Sequence, residues 1–246
     1  MTKNGIILAG GTGSRLMPLT QVVNKHLLGV SGKFIIDYPI ESLKKMGCQD
    51  VTVILGGDHY PQVIGYLGDG SRYGLNFNYV YQAKPSGIAQ AINLCKKFVY
   101  DDADFSVILG DNIFENTIRW NNPDWKTNPR AQILLANHPD LKRFGVASLD
   151  EKKEVVKIEE KPKELDEDYW NYAVSGCYLF TSQYFEYFKE LKPSARGEYE
   201  ITDIIRLYLR DNKLSYSMID GLWSDAGTHE SIAYVNDYFY NKTLKA

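Results

Sequence analysis

The sequence predicts an α/β protein with a mostly parallel central sheet flanked by helices. Apolar runs typical of strands alternate with segments of helical periodicity along most of the 246 residues. The first run, residues 5–9, is short, unbroken and partly β-branched, as expected of a strand buried on both faces. The length and the 44% hydrophobic content suit one large domain or at most two small ones. Ligands of such sheets bind at the carboxyl ends of the strands, where we therefore expect the site.

The first half of the chain alternates strands and helices after that first run. Residues 35–47 predict a helix because apolar side chains recur at helical spacing, Pro39 falls near the first turn and Gly47 stands at the expected end. Residues 75–81 alternate apolar and polar side chains, as a half-exposed strand would. The other predicted elements here are strands at 50–55 and 104–109 and a helix at 87–98.

The second half begins with a polar, turn-rich stretch, residues 121–130, which is the best candidate for a joint between subdomains. Four strands are expected after it, followed by a helix, a strand and a last helix from about Ser231. Their ranges are 132–137, 144–149, 155–160 and 172–180 for the strands, 200–211 for the helix and 213–219 for the next strand. The sequence shows no internal repeat.

A glycine loop, "LAGGTGSRL" at residues 8–16, directly follows the first strand. Such a loop brings backbone N–H groups close to a phosphate, although a plain tight turn is an equally open interpretation of the glycines alone. It is not a P-loop, because no Gly-Lys pair follows, and it lacks the dinucleotide fingerprint, because Leu16 stands where the third glycine belongs. Two cations, Arg15 and Lys25, come next, and these favour a triphosphate.

Charge and cysteine content exclude several classes of function. The formal net charge of -3 offers no electrostatic footprint for nucleic acid or for an acidic membrane. The three cysteines are far apart and lack CxxC spacing, which argues against a disulfide framework and against structural zinc. The first residues do not form a signal peptide, and no apolar run approaches the ~20 residues needed to span a bilayer. We therefore expect a cytoplasmic protein with no nucleic-acid or membrane partner.

Two aspartates are candidate metal ligands. Asp111 follows one predicted strand, and Asp225 follows the last strand within "GLWSDAGTH". A lone aspartate in such a place is most often a helix cap or turn residue. Beside a cation-rimmed glycine loop the pair suits Mg²⁺, which prefers one or two carboxylates plus phosphate oxygens. The run "EEKP" at residues 159–162 is either a solvated charge run or part of a site.

Ten motifs taken together resemble the glucose-1-phosphate thymidylyltransferases of the sugar nucleotidyltransferase superfamily. They are "GIILAGGTGSRLMPLT", "NKHLL", "LGDGSRYGL", "GIAQA", "LGDNIF", "RFGVA", "IEEKPKE", "YAVSG", "LKPSARGEYEITDI" and "WSDAGTH", in order from Gly5 to about His229. The resemblance implies a Rossmann-like nucleotidyltransferase fold with a sugar-binding subdomain. It further implies a single domain over residues 1–246, with a nucleotide-binding part at about 1–118, a sugar-binding part at about 119–228 and a C-terminal helix at about 229–246.

The same resemblance assigns roles to individual residues. The expected catalytic residues are Arg15 and Lys25, on the triphosphate, and Lys161 and Arg196, on the sugar phosphate. The expected metal ligands are Asp111 and Asp225, holding Mg²⁺. Nucleotide binding is expected from Leu8, Gly10, Gly11, Thr12, Gly13, Gln82 and Gly87, with Gln82 as the reader of the base. Sugar-phosphate binding is expected from Asn112, Phe144, Gly145, Glu160, Lys161, Val174, Arg196, Thr202 and Trp223.

The chemistry of these residue types fits transfer of a thymidylyl group from dTTP to glucose 1-phosphate. A sugar 1-phosphate is mostly a dianion near pH 7, so its oxygen needs no general base, but cations must offset its repulsion from the triphosphate. A Gln side chain matches thymine or uracil and mismatches cytosine. Open alternatives are UTP, another hexose 1-phosphate, or a sugar-nucleotide sensor without turnover. A homo-oligomer is an open possibility, and a dehydrogenase is the most distant alternative.

Overall fold

A computed structural model of the chain describes residues 4–99, 103–120 and 131–244. The predicted joint at 121–130 lies outside these residues. The strands, in chain order, are β1 (Asn4–Ala9), β2 (Gly29–Val30), β3 (Lys33–Phe34), β4 (Asp50–Leu55), β5 (Asn76–Tyr81), β6 (Phe105–Leu109), β7 (Asn112–Phe114), β8 (Ala131–Ala136), β9 (Gly145–Leu149), β10 (Val155–Glu160), β11 (Trp170–Phe180), β12 (Leu214–Met218) and β13 (Trp223–Asp225). The α-helices are α1 (Asp37–Lys45), α2 (Tyr60–Leu67), α3 (Ile88–Asn93), α4 (Gln183–Phe188), α5 (Ile201–Arg210) and α6 (His229–Thr243).

The predicted α/β class, with a central sheet flanked by helices, is confirmed. Every predicted strand and helix in the described residues is present, with ends shifted by a few residues. The helices α2 and α4 were not predicted from the sequence. Gly65 interrupts the periodicity of α2, and the aromatic residues of α4 favour a strand on propensity. In the described part of the chain, no helix is both long and apolar enough to cross a membrane.

The chain folds into two compact units. The first unit contains residues 1–85, 108–118 and 221–246, and the second contains residues 86–107 and 119–220. The passage from the second unit to the first falls inside β6, after Val107.

The first unit carries a parallel sheet. β1 pairs with β4, and β4 pairs with β5, both in parallel, so that Ile7 lies opposite Val53 and Val53 opposite Tyr79. β1 and β4 are buried almost throughout, as expected for central parallel strands. Two short antiparallel pairs, β2 with β3 and β7 with β13, complete the strands of this unit. Because β1, β4 and β5 run in the same direction, their carboxyl ends meet at one edge.

The second unit is built on antiparallel strands. Its order is β10, β9, β11, β8 and β12, and only the last pair, β8 with β12, is parallel. An aromatic cluster of Phe105, Phe180, Tyr184 and Tyr208 packs between these strands and the helices, with Phe180 at 5.0 Å from Tyr184 and 5.8 Å from Tyr208 between ring centroids. All four rings are fully buried. The cluster therefore packs α4 and α5 against β6 and β11.

Candidate functional site

The carboxyl ends of the three parallel strands of the first unit bring predicted nucleotide residues together. Gln82, directly after β5, donates its backbone N–H to the carbonyl of Leu55 at 2.8 Å. A Cβ atom placed on Gly10, directly after β1, would lie 3.5 Å from Oε1 of Gln82 and 3.6 Å from the backbone nitrogen of Gly56. The predicted base reader therefore lies beside the glycine loop. Leu8 is partly exposed within β1.

The glycine loop turns back on itself at Gly13. This residue has φ of +72°, in the left-handed region that favours glycine, and it begins a short 3-10 helix over Ser14–Leu16. The hydroxyl of Thr20 donates to the carbonyl of Gly13 at 2.8 Å and fixes the turn. Gly11 and Thr12 remain exposed. The loop is therefore held from one side and open to solvent on the other.

Lys25 forms an ion pair with the predicted metal ligand Asp111. Nζ of Lys25 lies 2.6 Å from Oδ2 of Asp111, and the two side chains are only 13% and 15% exposed. Burial works against ionisation of Asp111, but the charge of Lys25 and its hydrogen bond outweigh burial and hold the pKa of Asp111 below its usual range. A Cβ on Gly11 would lie 3.1 Å from Nζ of Lys25. The lysine thus lies directly against the glycine loop.

Arg15 and Asp225 lie together in the same unit. A Cβ on Gly227 would lie 3.0 Å from Nη2 of Arg15 and 3.4 Å from Oδ2 of Asp225. The backbone N–H of Ala226 donates to the carbonyl of Asp111 at 2.7 Å, which brings the segments of the two aspartates side by side. The sequence analysis placed Asp225 after the last strand. In the structure Asp225 is itself the last residue of that strand, β13. Two cations and two carboxylates therefore gather beside the loop.

These residues fit a divalent cation in the chemistry of their donors. Mg²⁺ prefers one or two carboxylates together with phosphate oxygens and water, and Asp111 and Asp225 are two carboxylates on adjoining segments. The ammonium group of Lys25 already places a positive charge beside Asp111, as a bound cation would. No group of three or more His, Cys, Asp or Glu side chains that could hold a metal by themselves occurs among residues 4–99, 103–120 and 131–244. A metal here would need ligands from the nucleotide.

Asn112 and Trp223, both predicted to bind the sugar, lie in the first unit and contact each other. The indole Nε1 of Trp223 donates to Oδ1 of Asn112 at 2.7 Å, and Nδ2 of Asn112 donates to Oδ1 of Asp111 at 3.0 Å. The two residues are 2% and 9% exposed. Asn112 therefore also braces the carboxylate of Asp111, a role that the sequence analysis did not foresee.

A second set of residues that the sequence analysis did not single out holds the segment of Lys25. Asn24 accepts from the backbone N–H of His26 at 3.0 Å and pairs with Nδ1 of the His26 ring at 2.8 Å. Burial and the nearby charge of Lys25 lower the pKa of His26 to about 3, so this imidazole is neutral at pH 7. Gln62 of α2 accepts from the backbone N–H of Asn24 at 2.8 Å. No sequence motif marks Gln62, because its helix was not predicted.

A cleft of about 320 Å³ opens beside the loop. Gly11, Thr12 and Lys25 line one side, and Gly57 and His59 lie on the other. Its further lining residues are Ser14, Met17, Thr20, Gln21, Asn24, Gly56 and Asp58. The cleft offers exposed backbone and one cation to an anionic ligand.

In the second unit, four predicted sugar residues surround one point at the start of β9. A Cβ on Gly145 would lie 2.8 Å from Cγ2 of Thr202, 3.6 Å from Oε2 of Glu160 and 3.8 Å from Cβ of Val174. Thr202, in the first turn of α5, donates its hydroxyl to Oε2 of Glu160 at 3.2 Å. Burial raises the pKa of Glu160, with Lys161 opposing it. A side chain at 145 would therefore collide with the methyl group of Thr202 unless that residue moved.

Lys161 adjoins the same point through its backbone. It adopts φ of +44°, which is uncommon for a residue with a side chain, and its N–H donates to the carbonyl of Phe144 at 3.0 Å. Its ammonium group is exposed and lies 3.7 Å from Oε1 of Glu160. The "EEKP" run is therefore not wholly solvated, because Glu160 is only 21% exposed.

Arg196 lies among three carboxylates of the second unit. Its Nη2 atom is 2.9 Å from Oε1 of Glu200 and 3.4 Å from carboxylate oxygens of both Glu160 and Glu198. The guanidinium is 44% exposed. Gly87, predicted to bind the nucleotide, also belongs to this unit, where a Cβ would lie 2.4 Å from the carbonyl oxygen of Tyr199.

Comparisons with known proteins show the family of this chain. The family model described as nucleotidyl transferase matches residues 4–242. A glucose-1-phosphate thymidylyltransferase of Neisseria meningitidis serogroup A is 39% identical over 232 residues, 93% of this chain and 79% of the relative. A low-salt glycan biosynthesis nucleotidyltransferase of Haloferax volcanii is 37% identical over 98% of this chain and 67% of the relative.

Solved structures share the fold. A crystal structure from Bacillus anthracis, provisionally assigned as a glucose-1-phosphate thymidylyltransferase and in complex with sucrose, superposes with a TM-score of 0.87 at 47% identity, covering 96% of this chain and 94% of that one. A UDP-glucose pyrophosphorylase complexed with UDP-glucose superposes with a TM-score of 0.82 at 24% identity over 98% of this chain and 100% of that one. The latter likeness concerns the fold alone.

Proposed function

The chain belongs to the nucleotidyl transferase family, and from this premise we propose that it transfers the thymidylyl group of dTTP to glucose 1-phosphate, forming dTDP-glucose and pyrophosphate. The Neisseria meningitidis relative carries the name of this activity at 39% identity. The observation that carries the proposal is the group of Arg15, Lys25, Asp111 and Asp225 beside the glycine loop.

The nucleotide-binding half of the proposal rests on the first unit. Exposed backbone of Gly11 and Thr12 and the cations Arg15 and Lys25 give the triphosphate of dTTP its hydrogen bonds and counter-charges. The amide of Gln82 beside Gly10 can donate to O4 and accept from N3–H of thymine. Gly87 is the one proposed nucleotide residue in the second unit. The division into a nucleotide part at about 1–118 and a sugar part at about 119–228 belongs to this proposal.

Asp111 and Asp225 would hold Mg²⁺, which when bound neutralises phosphate charge and polarises the α-phosphate. Lys25 would then exchange its partner, since the ion pair of 2.6 Å with Asp111 leaves that carboxylate engaged in the absence of ligand. The freed ammonium group of Lys25 is placed to take up charge that develops on pyrophosphate.

The sugar-binding half rests mainly on the second unit. Glu160, oriented by Thr202 beside Gly145, can accept hydrogen bonds from sugar hydroxyls. Lys161 and Arg196 supply positive charge for the phosphate. Phe144 and Val174 add apolar side chains, and the proposal also assigns Asn112 and Trp223 to the sugar 1-phosphate.

The reaction needs no general base. The second pKa of a phosphate monoester is about 6, so glucose 1-phosphate carries a nucleophilic oxygen near pH 7. This oxygen forms a bond to the α-phosphorus of dTTP, while the bond from that phosphorus to the bridging oxygen breaks and its electron pair leaves with pyrophosphate. Positioning and charge neutralisation are therefore the whole task of the protein.

Pyrophosphate release tests the proposal. The rate is measured with Mg²⁺ for dTTP, UTP and CTP, each against glucose 1-phosphate, galactose 1-phosphate and mannose 1-phosphate. We expect the fastest release with dTTP and glucose 1-phosphate and almost none with CTP. Faster pyrophosphate release with galactose 1-phosphate or mannose 1-phosphate would show that this sugar, and not glucose 1-phosphate, is the preferred acceptor.

Two other outcomes would change the proposed nucleotide or remove the proposed enzymatic activity. A rate with UTP equal to or above that with dTTP would remove the thymidylyl assignment. Binding of dTTP without release for any pair would indicate a sugar-nucleotide sensor. With the enzymatic assignment we also propose that the protein acts in the cytoplasm, and its size by light scattering will show whether it is a homo-oligomer.

A further inference from the structure

Glu200 is a buried carboxylate that none of the predicted roles uses. It lies immediately before α5, its side chain is 10% exposed, and glutamate is rarely buried to this degree unless it is paired. Both of its oxygens lie 2.9 Å from Nη2 of Arg196, and Oε1 also accepts from Nε of Arg196 at 3.2 Å. The hydroxyl of Ser194 donates to Oε1 at 2.8 Å. The carboxylate is thus fully engaged.

The contacts of Glu200 leave one side of the guanidinium of Arg196 available. The edge formed by Nε and Nη2 faces Glu200, and Nη2 also donates to Oε1 of Glu160 at 3.4 Å, while Nη1 donates to no residue in the described part of the chain. A guanidinium has five N–H donors in a rigid plane, so holding one edge fixes the direction of the other. Phosphate is a ligand that this planar fork recognises.

We propose that Glu200 is a positioning residue, which holds one edge of Arg196 so that the N–H groups of Nη1 bind the phosphate of the sugar 1-phosphate. The proposal rests on the function proposed above, in which Arg196 binds that phosphate. Glu200 itself touches no substrate. Its effect passes through the guanidinium.

Two neighbouring carboxylates decide the direction of the effect. Glu160 already accepts from Nη2 of Arg196 at 3.4 Å, Glu198 lies at the same distance, and both would draw the guanidinium closer if Glu200 were lost. Capture by Glu160 would also engage the carboxylate that we assign to the sugar hydroxyls. Loss of Glu200 therefore weakens binding of the sugar phosphate, even though it removes a negative charge from the site.

Glu198 supplies a matched control. Glu200→Gln and Glu198→Gln each remove one negative charge beside the same guanidinium, but only Glu200 is buried and bonded along its edge, whereas Glu198 is 40% exposed. We expect Glu200→Gln to raise KM for glucose 1-phosphate about tenfold and to leave KM for dTTP unchanged, because misplacing a binding group lowers its effectiveness. We expect Glu198→Gln to leave KM for glucose 1-phosphate unchanged or lower, since charge alone is removed.

Ser194→Ala provides a second variant should Glu200→Gln fail to fold, as judged by circular dichroism and Tm. It deletes the hydrogen bond to Glu200, together with the one that the hydroxyl accepts from the backbone N–H of Arg196 at 3.2 Å, and we expect a smaller rise in the same KM. A KM for glucose 1-phosphate that stays the same or falls in both Glu200→Gln and Ser194→Ala would overturn the proposal. An equal rise in Glu198→Gln would also overturn it, because charge rather than position would then be the cause.

Direct binding separates this inference from the proposed function. Calorimetric titration with glucose 1-phosphate is run on the full chain and on Glu200→Gln, whether or not turnover is found. Weaker binding by the variant with no turnover by the natural chain would retain Glu200 in its role and remove the enzyme assignment. Turnover by the natural chain with equal binding by both proteins would remove the role of Glu200 alone.

Discussion

In the described part of the chain, Lys25 of the first unit pairs with one carboxylate, that of Asp111, and the two side chains are 13% and 15% exposed. Arg196 of the second unit is 44% exposed and has three carboxylates within 3.4 Å. Both are proposed to bind phosphate. A shielded one-to-one pair must exchange partners when a ligand arrives, while a guanidinium held along one edge can keep its partner and add another. The two units thus prepare a cation for phosphate in different ways.

The largest expected effect comes from breaking the shielded pair. Lys25→Met should lower kcat about 10³-fold, because the charge on pyrophosphate loses its counter-charge. It should also lower the free energy of unfolding by about 2 kcal/mol, less than for a fully buried pair because both side chains keep some exposure. Steady-state kinetics and urea unfolding measure the two effects.

A double variant tests whether the unpaired carboxylate of Asp111 causes the loss of stability. Lys25→Met combined with Asp111→Asn removes the unpaired carboxylate as well, so we expect stability to return toward that of the natural chain while activity stays low. A single variant that retains near-natural kcat would contradict the role of Lys25. A double variant as unstable as the single one would contradict the pairing as the source of stability.

A smaller effect is expected in the second unit. Arg196→Lys keeps the charge but loses the planar fork, so KM for glucose 1-phosphate should rise about 10- to 100-fold with KM for dTTP unchanged. Initial rates with each substrate varied in turn measure both constants. If KM for dTTP rose instead, Arg196 would belong to nucleotide binding and the contrast between the units would fail.

The preference for dTTP over UTP should be a smaller effect than the changes in kcat and KM described above. Thymine and uracil differ by one methyl group, which in a pocket contributes ~1–3 kcal/mol, so we expect kcat/KM for dTTP to exceed that for UTP about tenfold. Gln82→Ala should lower kcat/KM for both nucleotides while leaving KM for glucose 1-phosphate unchanged. Competition between dTTP and UTP in one assay measures the ratio. An unchanged kcat/KM for both nucleotides in the variant would remove Gln82 as the reader of the base.

The smallest effect on activity is expected at Glu115, a buried carboxylate of the first unit that anchors α6. It accepts from Lys242, from the hydroxyl of Tyr238 at 2.7 Å and from the backbone N–H of Leu222 at 2.7 Å. The hydrogen bond from Lys242, with that from Leu222, lowers the pKa of Glu115 from 4.5 to about 2. Glu115→Gln should therefore lower stability at pH 7 by about 2 kcal/mol with kcat unchanged.

The pH dependence of that loss has a definite sign. Because the pKa is lowered on folding, the stability contributed by Glu115 is present above pH 4.5 and disappears as the pH falls toward about 2. Unfolding curves of both proteins should converge over that interval. A difference that persisted unchanged to pH 2 would show that ionisation of Glu115 is not its source.

Local pattern explains what could be predicted from the sequence. The apolar run of β1, the glycine loop after it and the strand before Asp111 all carry their signal within a few neighbouring residues. The antiparallel arrangement of the second unit carries no such signal, because strand direction depends on partners distant in the chain.

Pairings between distant residues explain what was missed in the site. Asn112 was expected to bind sugar, but its contacts with Trp223 and Asp111 depend on β7 lying beside β13. Glu198 and Glu200 stand two residues apart in the motif "LKPSARGEYEITDI", and only burial against Arg196 distinguishes Glu200 from Glu198. Spacing in the sequence cannot predict either.

The most direct test of the central claim follows the phosphorus atoms of dTTP. The full chain is incubated with glucose 1-phosphate and Mg²⁺, once with dTTP labelled at the α-phosphate and once with dTTP labelled at the γ-phosphate, and the products are separated. Thymidylyl transfer predicts that the α label enters the sugar nucleotide and the γ label enters pyrophosphate. A γ label in the sugar product, or an α label that remains in dTTP while the protein binds both substrates, would contradict the account.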